Sequence, residues 1–298
     1  MDPFALGCIA LAAVLHAAWN ILLKTAGDPL WTATVGVTAA SAVLVPLVAA
    51  GWLLTGQPAI PAEAWAIGVV SGGVEVAYFV CLAAAYRRGD LSVVYPLARG
   101  SAPLLAVAIG VGVLGERLVP GAWAGVGLLV AGLLLVQRPW RLLRAAAATH
   151  DRAATGFALA TGAMIATYSA LDRVGVQLAP AWFYSGILWP ACALGLLAVA
   201  WGRPRIAGNA FAPPGATLDR GRAVAGGLLT FAAYGLVLAA LSRAPLVLVA
   251  PLRESAVLLA STWGVVRLRE AASRADVAGR LAGSALVLAG AAALAIAR

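Results

Sequence analysis

The chain consists of long apolar blocks separated by short polar gaps, and the length of those blocks constrains its fold more than any other property. Ten blocks can be marked, at about 4–24, 31–54, 64–86, 92–114, 121–137, 154–173, 179–201, 223–242, 246–267 and 277–297. Each approaches the roughly 20 residues that cross a bilayer's hydrocarbon layer as a helix. A helix pairs its backbone N–H and C=O groups internally, as lipid requires. A membrane barrel would instead show ~10-residue segments of alternating polarity. The expected fold is all-α: a polytopic membrane protein with ten transmembrane helices.

Composition excludes the main alternatives. Of 298 residues, 62% are hydrophobic and 11% charged, with a mean hydropathy of +0.93. A soluble domain carries about 25% charged residues, so neither a soluble enzyme nor a disordered chain fits. The first block is read as a true span. It lacks a basic start, is interrupted by His16 and Asn20, and exceeds the ~7–15 apolar residues of a signal peptide. The net charge of +9 comes almost wholly from arginines lying in the gaps. Nucleic-acid binders instead gather their cations on one continuous surface, so no nucleic-acid partner is expected. Cys8, Cys81 and Cys192 fall in three different blocks without CxxC spacing. They offer neither a disulfide framework nor a zinc site, and no metal or cofactor is expected.

The basic gap 138–153 divides the chain into five blocks plus five, and the halves carry the same landmarks. Tyr78, Pro96, Glu116 and Gly125 recur as Tyr234, Pro251, Glu270 and Gly279; successive separations are 18, 20 and 9 in the first set and 17, 19 and 9 in the second. The division is therefore residues 1–137 as one five-helix repeat, 138–153 as a connecting loop and 154–298 as a second repeat. An odd number of spans per copy inverts the second in the membrane. Inverted repeats characterise secondary transporters, whose substrate site lies between the repeats near the midplane.

Several motifs also carry a resemblance. Val14–Lys24 (VLHAAWNILLK), Tyr86–Ser92 (YRRGDLS) leading into Tyr95-Pro96-Leu97, Leu114-Gly115-Glu116-Arg117, and Ala166–Arg173 (ATYSALDR) resemble EamA-type members of the drug/metabolite transporter superfamily, over nearly the whole chain. The resemblance implies a ten-helix, two-repeat carrier of small metabolites, usually an exporter, with a central cavity lined by both halves. It is a poor guide to substrate.

Orientation follows from counting cations. Gaps after odd-numbered helices hold 14 basic residues, among them Arg87, Arg88 and the arginines of 138–153 and 202–222. Gaps after even-numbered helices and the tail hold four: Arg117, Arg173, Arg243 and Arg298. The positive-inside rule places the odd-numbered gaps in the cytoplasm and both termini outside. The resemblance implies the opposite orientation, since better-known members of that superfamily have both termini inside, but the charge bias here is large. The expected location is the cell (inner) membrane, with the lipid bilayer as partner.

Ionisable residues at membrane depth cost about 2.5–3.5 kcal/mol on insertion scales and are functional candidates by default. They are His16, Glu75, Arg99, Arg253 and Glu254. Three residues past the matched prolines, Arg99 corresponds to Glu254, so the two are expected to pair across the cavity. Glu75 would then partner Arg253 or His16. With His16 neutral the five sum to zero, which suits a zwitterionic, amino-acid-like substrate. His16 and Asn20, four apart, share one face of the first helix; they read either as a cavity stripe with His16 in proton coupling or as an interhelical hydrogen bond. Tyr78 and Tyr234 read as substrate-facing hydroxyls or as core. Pro96 and Pro251 remove backbone donors and read as gate or bend positions, or as ordinary early-helix prolines. Gly121-xxx-Gly125 and Gly279-xxx-Gly283 permit close contact, between the fifth and tenth helices or with a second copy in a homodimer.

The function expected is a secondary active transporter, moving a small polar metabolite or drug by alternating access as a proton-coupled exporter. The nearer alternative is an uptake permease; from another class, a membrane-embedded lipid-modifying enzyme. A rhomboid-like protease is disfavoured, because the stretch before Ser185-Gly186 lacks the leading glycine. Neither an HExxH motif nor a Walker loop occurs.

Overall fold

A computed structural model describes residues 2–25, 27–88, 91–137, 152–206, 218–254 and 274–296. All regular structure among them is helical: α1 (Pro3–Thr25), α2 (Pro29–Leu54), α3 (Ala62–Arg88), α4 (Leu91–Gly112), α5 (Pro120–Gln137), α6 (Arg152–Leu178), α7 (Ala181–Ile206), α8 (Arg220–Arg243), α9 (Leu246–Arg253) and α10 (Arg274–Ile296). By length and composition α2, α3, α6, α7 and α8 can each span a bilayer, and α1, α4, α5 and α10 contain shorter apolar stretches. The protein is an all-helical, polytopic membrane protein. Most of the 138–153 gap, the later part of the ninth block with Glu270, and the side chains of Asn20 and Pro96 lie outside the described residues.

Local chemistry sets the helix limits. Asp28 caps α2, its carboxylate accepting from the Trp31 N–H at 2.9 Å, and Pro29 follows at the first helical position, where its missing N–H removes nothing. After α4, Gly115 turns the chain with φ +65°, a left-handed conformation that glycine adopts without a Cβ clash. That turn sets the position of Glu116. One boundary departs from expectation: the sixth block was closed at the charged pair Asp172-Arg173, yet α6 continues to Leu178. Both charges are satisfied by partners on other helices, so they do not end the span.

The packing interleaves the halves. The principal contacts are α3 with α6, α5 with α10, α1 with α8, α4 with α6, α3 with α7 alongside α2 with α8, α2 with α7, and α4 with α9. Exchanging each helix for the one five later maps these pairs onto one another except α4–α6, whose equivalent α1–α9 contact is smaller among the described residues. Equivalent helices also run antiparallel. On α2, Gly51 faces Trp182 and Val48 faces Gly186 of α7; on α4, Gly110 faces Val247 and Arg99 meets Glu254 on the α9 side. On α5, Gly125 faces Gly290 while Gly132 faces Gly283 of α10. Antiparallel equivalents are what two inverted five-helix repeats require.

Two of the motif glycines, Gly125 and Gly283, lie in the α5–α10 contact. A Cβ added at Gly132 would lie 2.6 Å from the Gly283 carbonyl oxygen, and one at Gly283 would lie 2.8 Å from that of Gly132. Gly125 and Gly283 therefore serve contacts within the chain. The repeat that matters is seven residues, Gly125 with Gly132 and Gly283 with Gly290, not the four-residue GxxxG spacing. Of the five tryptophans at block ends, Trp31, Trp65, Trp182 and Trp201 are exposed, as interfacial anchors would be, while Trp52 is half-buried and its Nε1–H donates to the Pro58 carbonyl at 3.0 Å. Cys8, Cys81 and Cys192 are free thiols.

Candidate substrate cavity

Near mid-helix, a small cavity opens between the halves. Its polar lining is His16 of α1, Glu75 of α3, Arg99 of α4 and Thr230 of α8. The remainder is aromatic: Trp19, Tyr78 and Phe79 from the first half, Tyr168, Trp189 and Tyr234 from the second. The rings interlock edge to face. Tyr168 stands against Tyr78 (5.9 Å, 79°) and Tyr234 (5.7 Å, 77°), and Trp189 against Tyr234 (5.9 Å, 89°), the geometry ring quadrupoles favour. The cavity volume is about 30 Å³. A water molecule needs roughly 10–15 Å³, so the space is about that of two waters.

The ionisable groups form two clusters. In the first, Arg99 Nη1 lies 3.3 and 3.4 Å from the Glu254 carboxylate oxygens, joining α4 to the end of α9. Arg253 Nε donates to Glu254 Oε1 at 3.4 Å, and its Nη1 donates to Ser169 Oγ at 3.2 Å. One carboxylate thus sits between two guanidiniums. Of the two partners expected for Glu75, Arg253 or His16, Arg253 turns instead to Glu254, its neighbour in sequence, and to Ser169 on α6.

The second cluster centres on Asp172, which sequence reasoning did not select. Asp172 is fully buried. Its Oδ1 accepts from Ser71 Oγ of α3 at 2.5 Å and from the Tyr184 hydroxyl of α7 at 2.9 Å, while Oδ2 accepts from the Tyr234 hydroxyl of α8. Nearby Glu75 is also buried, and its Oε2 has no hydrogen-bond partner among the described residues. The signal that could have found Asp172 was the apolar continuation after it, Val174, Val176 and Leu178, which extends the span and puts the aspartate inside. Adding Asp172 changes the charge balance. Two arginines now face Glu75, Asp172 and Glu254, so with His16 neutral the buried set is negative by one charge, not balanced.

The remaining expected residues separate. Pro251 is buried and is the sixth residue of α9, as Pro96 is of α4; both lie beyond the first turn, so each leaves a helical carbonyl without its N–H partner. Asn20 lies on α1, its side chain outside the described residues. Glu116 is far from the cavity. It bridges the halves at one end of the bundle, accepting from the Leu246 N–H at 2.8 Å and the Val247 N–H at 3.0 Å, and pairing with Arg173 at 3.3 Å. Arg173, expected as a gap charge marking topology, lies within α6 and also donates to the Leu241 carbonyl. Removing it from the even-gap count widens the charge asymmetry.

Antiparallel equivalent helices around a shared polar cavity define a membrane protein of the two-repeat helical class. Comparison with known proteins is more particular: residues 3–138 match the EamA-like transporter family. The spermidine export proteins MdtI of Salmonella paratyphi B, Salmonella newport and Salmonella heidelberg are each 37% identical over 70 residues, 24% of this chain. The match spans 64% of the length of those relatives. A crystal structure aligns with TM-score 0.67 at 21% identity, over 99% of this chain and 98% of the other, which establishes the shared fold.

Proposed function

We propose that the protein is a secondary transporter that exports a small amine-bearing metabolite across the inner membrane, exchanging it for protons by alternating access. The reading rests on one observation: a small, aromatic-walled cavity contributed by both halves, in which the buried Glu75 carboxylate keeps an oxygen unpaired among the described residues. A buried charge of this kind is costly unless a partner arrives. An ammonium group supplies one, and aromatic faces add cation–π attraction of about 0.5–2 kcal/mol. The negative charge excess moves the preferred substrate from a zwitterion toward a cation. The names of the MdtI relatives, spermidine export proteins, point the same way and also favour export.

The repeats run from 1 to 137 and from 154 to 298, with the basic loop and the other odd-numbered gaps in the cytoplasm. Solute enters when one end of the bundle parts, the cavity enlarges, and the ammonium settles against Glu75. A proton arriving at the same carboxylate displaces it. Proton and amine then compete for one site, which is the minimum an antiporter needs. Thermal unfolding in detergent across spermidine, simple monoamines, amino acids and organic anions tests the site, because a ligand of the folded state raises stability. Amines should stabilise the wild type and leave Glu75→Gln unmoved; stabilisation by anions alone would overturn the reading.

A further inference from the structure

We propose that Asp172 is a second protonation site, reached from the cavity through the Tyr234 hydroxyl, and that its protonation reverses the hydrogen-bonding sense Tyr234 presents to the cavity. The purpose assigned to it rests on the transport reading; its chemistry does not.

Asp172 is buried among four helices and is held by neutral hydroxyls alone: Ser71, Tyr184 and Tyr234. No lysine or arginine forms an ion pair with it among the described residues. Arg173, its neighbour in sequence, turns away to Glu116. The charged and titratable groups facing this region are Glu75 of α3, beside Cys192 of α7, which repels Asp172, and Arg253 of α9, which attracts it while paired to Glu254. Tyr168 of α6 and Tyr78 of α3 stand between as rings. Two carboxylates of like charge thus share one low-dielectric region, and the cations are committed elsewhere. A tie needed only to hold four helices together would be served as well by a neutral amide, without a buried charge.

Tyr234 belongs to both environments. Tyr234 lines the cavity, its ring edge to face with Tyr168 and Trp189, and its hydroxyl donates to Asp172 Oδ2. A phenol both donates and accepts, so it can relay a proton without ionising. A hydronium ion in the cavity gives its proton to the Tyr234 oxygen as the Tyr234 proton passes to Asp172 Oδ2. The products are water, a neutral tyrosine and a neutral aspartic acid. The acid O–H now donates to the phenol oxygen, and the phenol proton is freed to point toward the cavity. Before the step Tyr234 offers the cavity lone pairs, which welcome an ammonium. After it, Tyr234 offers a donor, which does not. Proton arrival at Asp172 therefore weakens amine binding without occupying Glu75.

Infrared difference spectroscopy of the full-length protein in lipid, between alkaline and acid buffer, tests this with the proton as the only ligand. The expected spectrum has a protonated-carboxyl C=O band that persists in Glu75→Gln, is lost in Asp172→Asn, and shifts in frequency in Tyr234→Phe, which keeps the ring but removes the acid's partner. A band lost in Glu75→Gln, or unshifted in Tyr234→Phe, would overturn the proposal even if Asp172→Asn fails to fold. A protein that shows the expected bands yet carries no solute would refute the transport reading and leave Asp172 as a protonation site.

Discussion

Replacing Glu116 by alanine tests the contact that joins the two halves at one end of the bundle. Helix α9 begins after Pro245, which makes no side-chain capping bond of its own, and its first N–H groups have no intrahelical partners. Glu116 reaches across from the other half and accepts from two of them, at 2.8 and 3.0 Å, on the fully buried residues Leu246 and Val247. Hydrogen bonds to a charged group are worth about 1.5–3 kcal/mol each, and losing a helix cap costs roughly 0.5–2 kcal/mol. These overlap, and the partly exposed pair with Arg173 adds little, so Glu116→Ala should lose about 2–4 kcal/mol. Glu116→Gln should lose about half as much, because its carboxamide oxygen still accepts from one N–H while its NH₂ faces the other. Unfolding of the purified protein in mild detergent, followed by tryptophan fluorescence against added sodium dodecyl sulfate, reads the loss. An alanine variant within about 0.5 kcal/mol of wild type, the range of ordinary surface changes, would refute the capping argument.

Three further outcomes follow. Gly132→Ala should destabilise the α5–α10 contact by about 1–3 kcal/mol through overpacking. Gly127→Ala on the same helix, where an added Cβ meets nothing within 4 Å, should be neutral or stabilising by up to about 1 kcal/mol; equal effects in the same unfolding assay would contradict the antiparallel register. Charge reversal at Arg99 or at Glu254 alone should abolish folding or binding, whereas the double reversal should recover part of both by restoring the bridge between the two positions, the loss of Arg253's partner keeping the recovery incomplete; a double variant as impaired as the singles would count against the bridge. A fluorescent reporter fused to the C-terminus should stay dark if the odd-numbered gaps are cytoplasmic, and bright fluorescence would invert the orientation.

Much of the architecture was legible because lipid leaves a chain few options. The block limits lie within a few residues of most helix ends, and the landmark spacing paired Arg99 with Glu254, which meet at 3.3 Å. What was not legible depends on facing partners. Asp172 stood at the edge of its block because two adjacent charges look like a span's end; only Ser71, Tyr184 and Tyr234, contributed by three other helices, make that position habitable for a charge. Arg253 illustrates the same limit. Spacing gave it no reason to choose Glu254 and Ser169 over Glu75, since the choice depends on which groups face it in the folded bundle. The aromatic wall was equally hidden, because a tyrosine that packs and one that lines a cavity have the same neighbours in sequence. The glycines were visible, but which of them touch depends on the crossing of α5 and α10.

The central claim is directed carriage of an amine through a cavity governed by Glu75. Its most direct measurement is efflux of radiolabelled spermidine from liposomes reconstituted with the protein, under an imposed proton gradient and without one. The account predicts protein-dependent efflux that accelerates when the outer buffer is acidified, and loss of that acceleration in Glu75→Gln. Efflux equal to that of empty liposomes, or an acceleration that survives in Glu75→Gln, would contradict it.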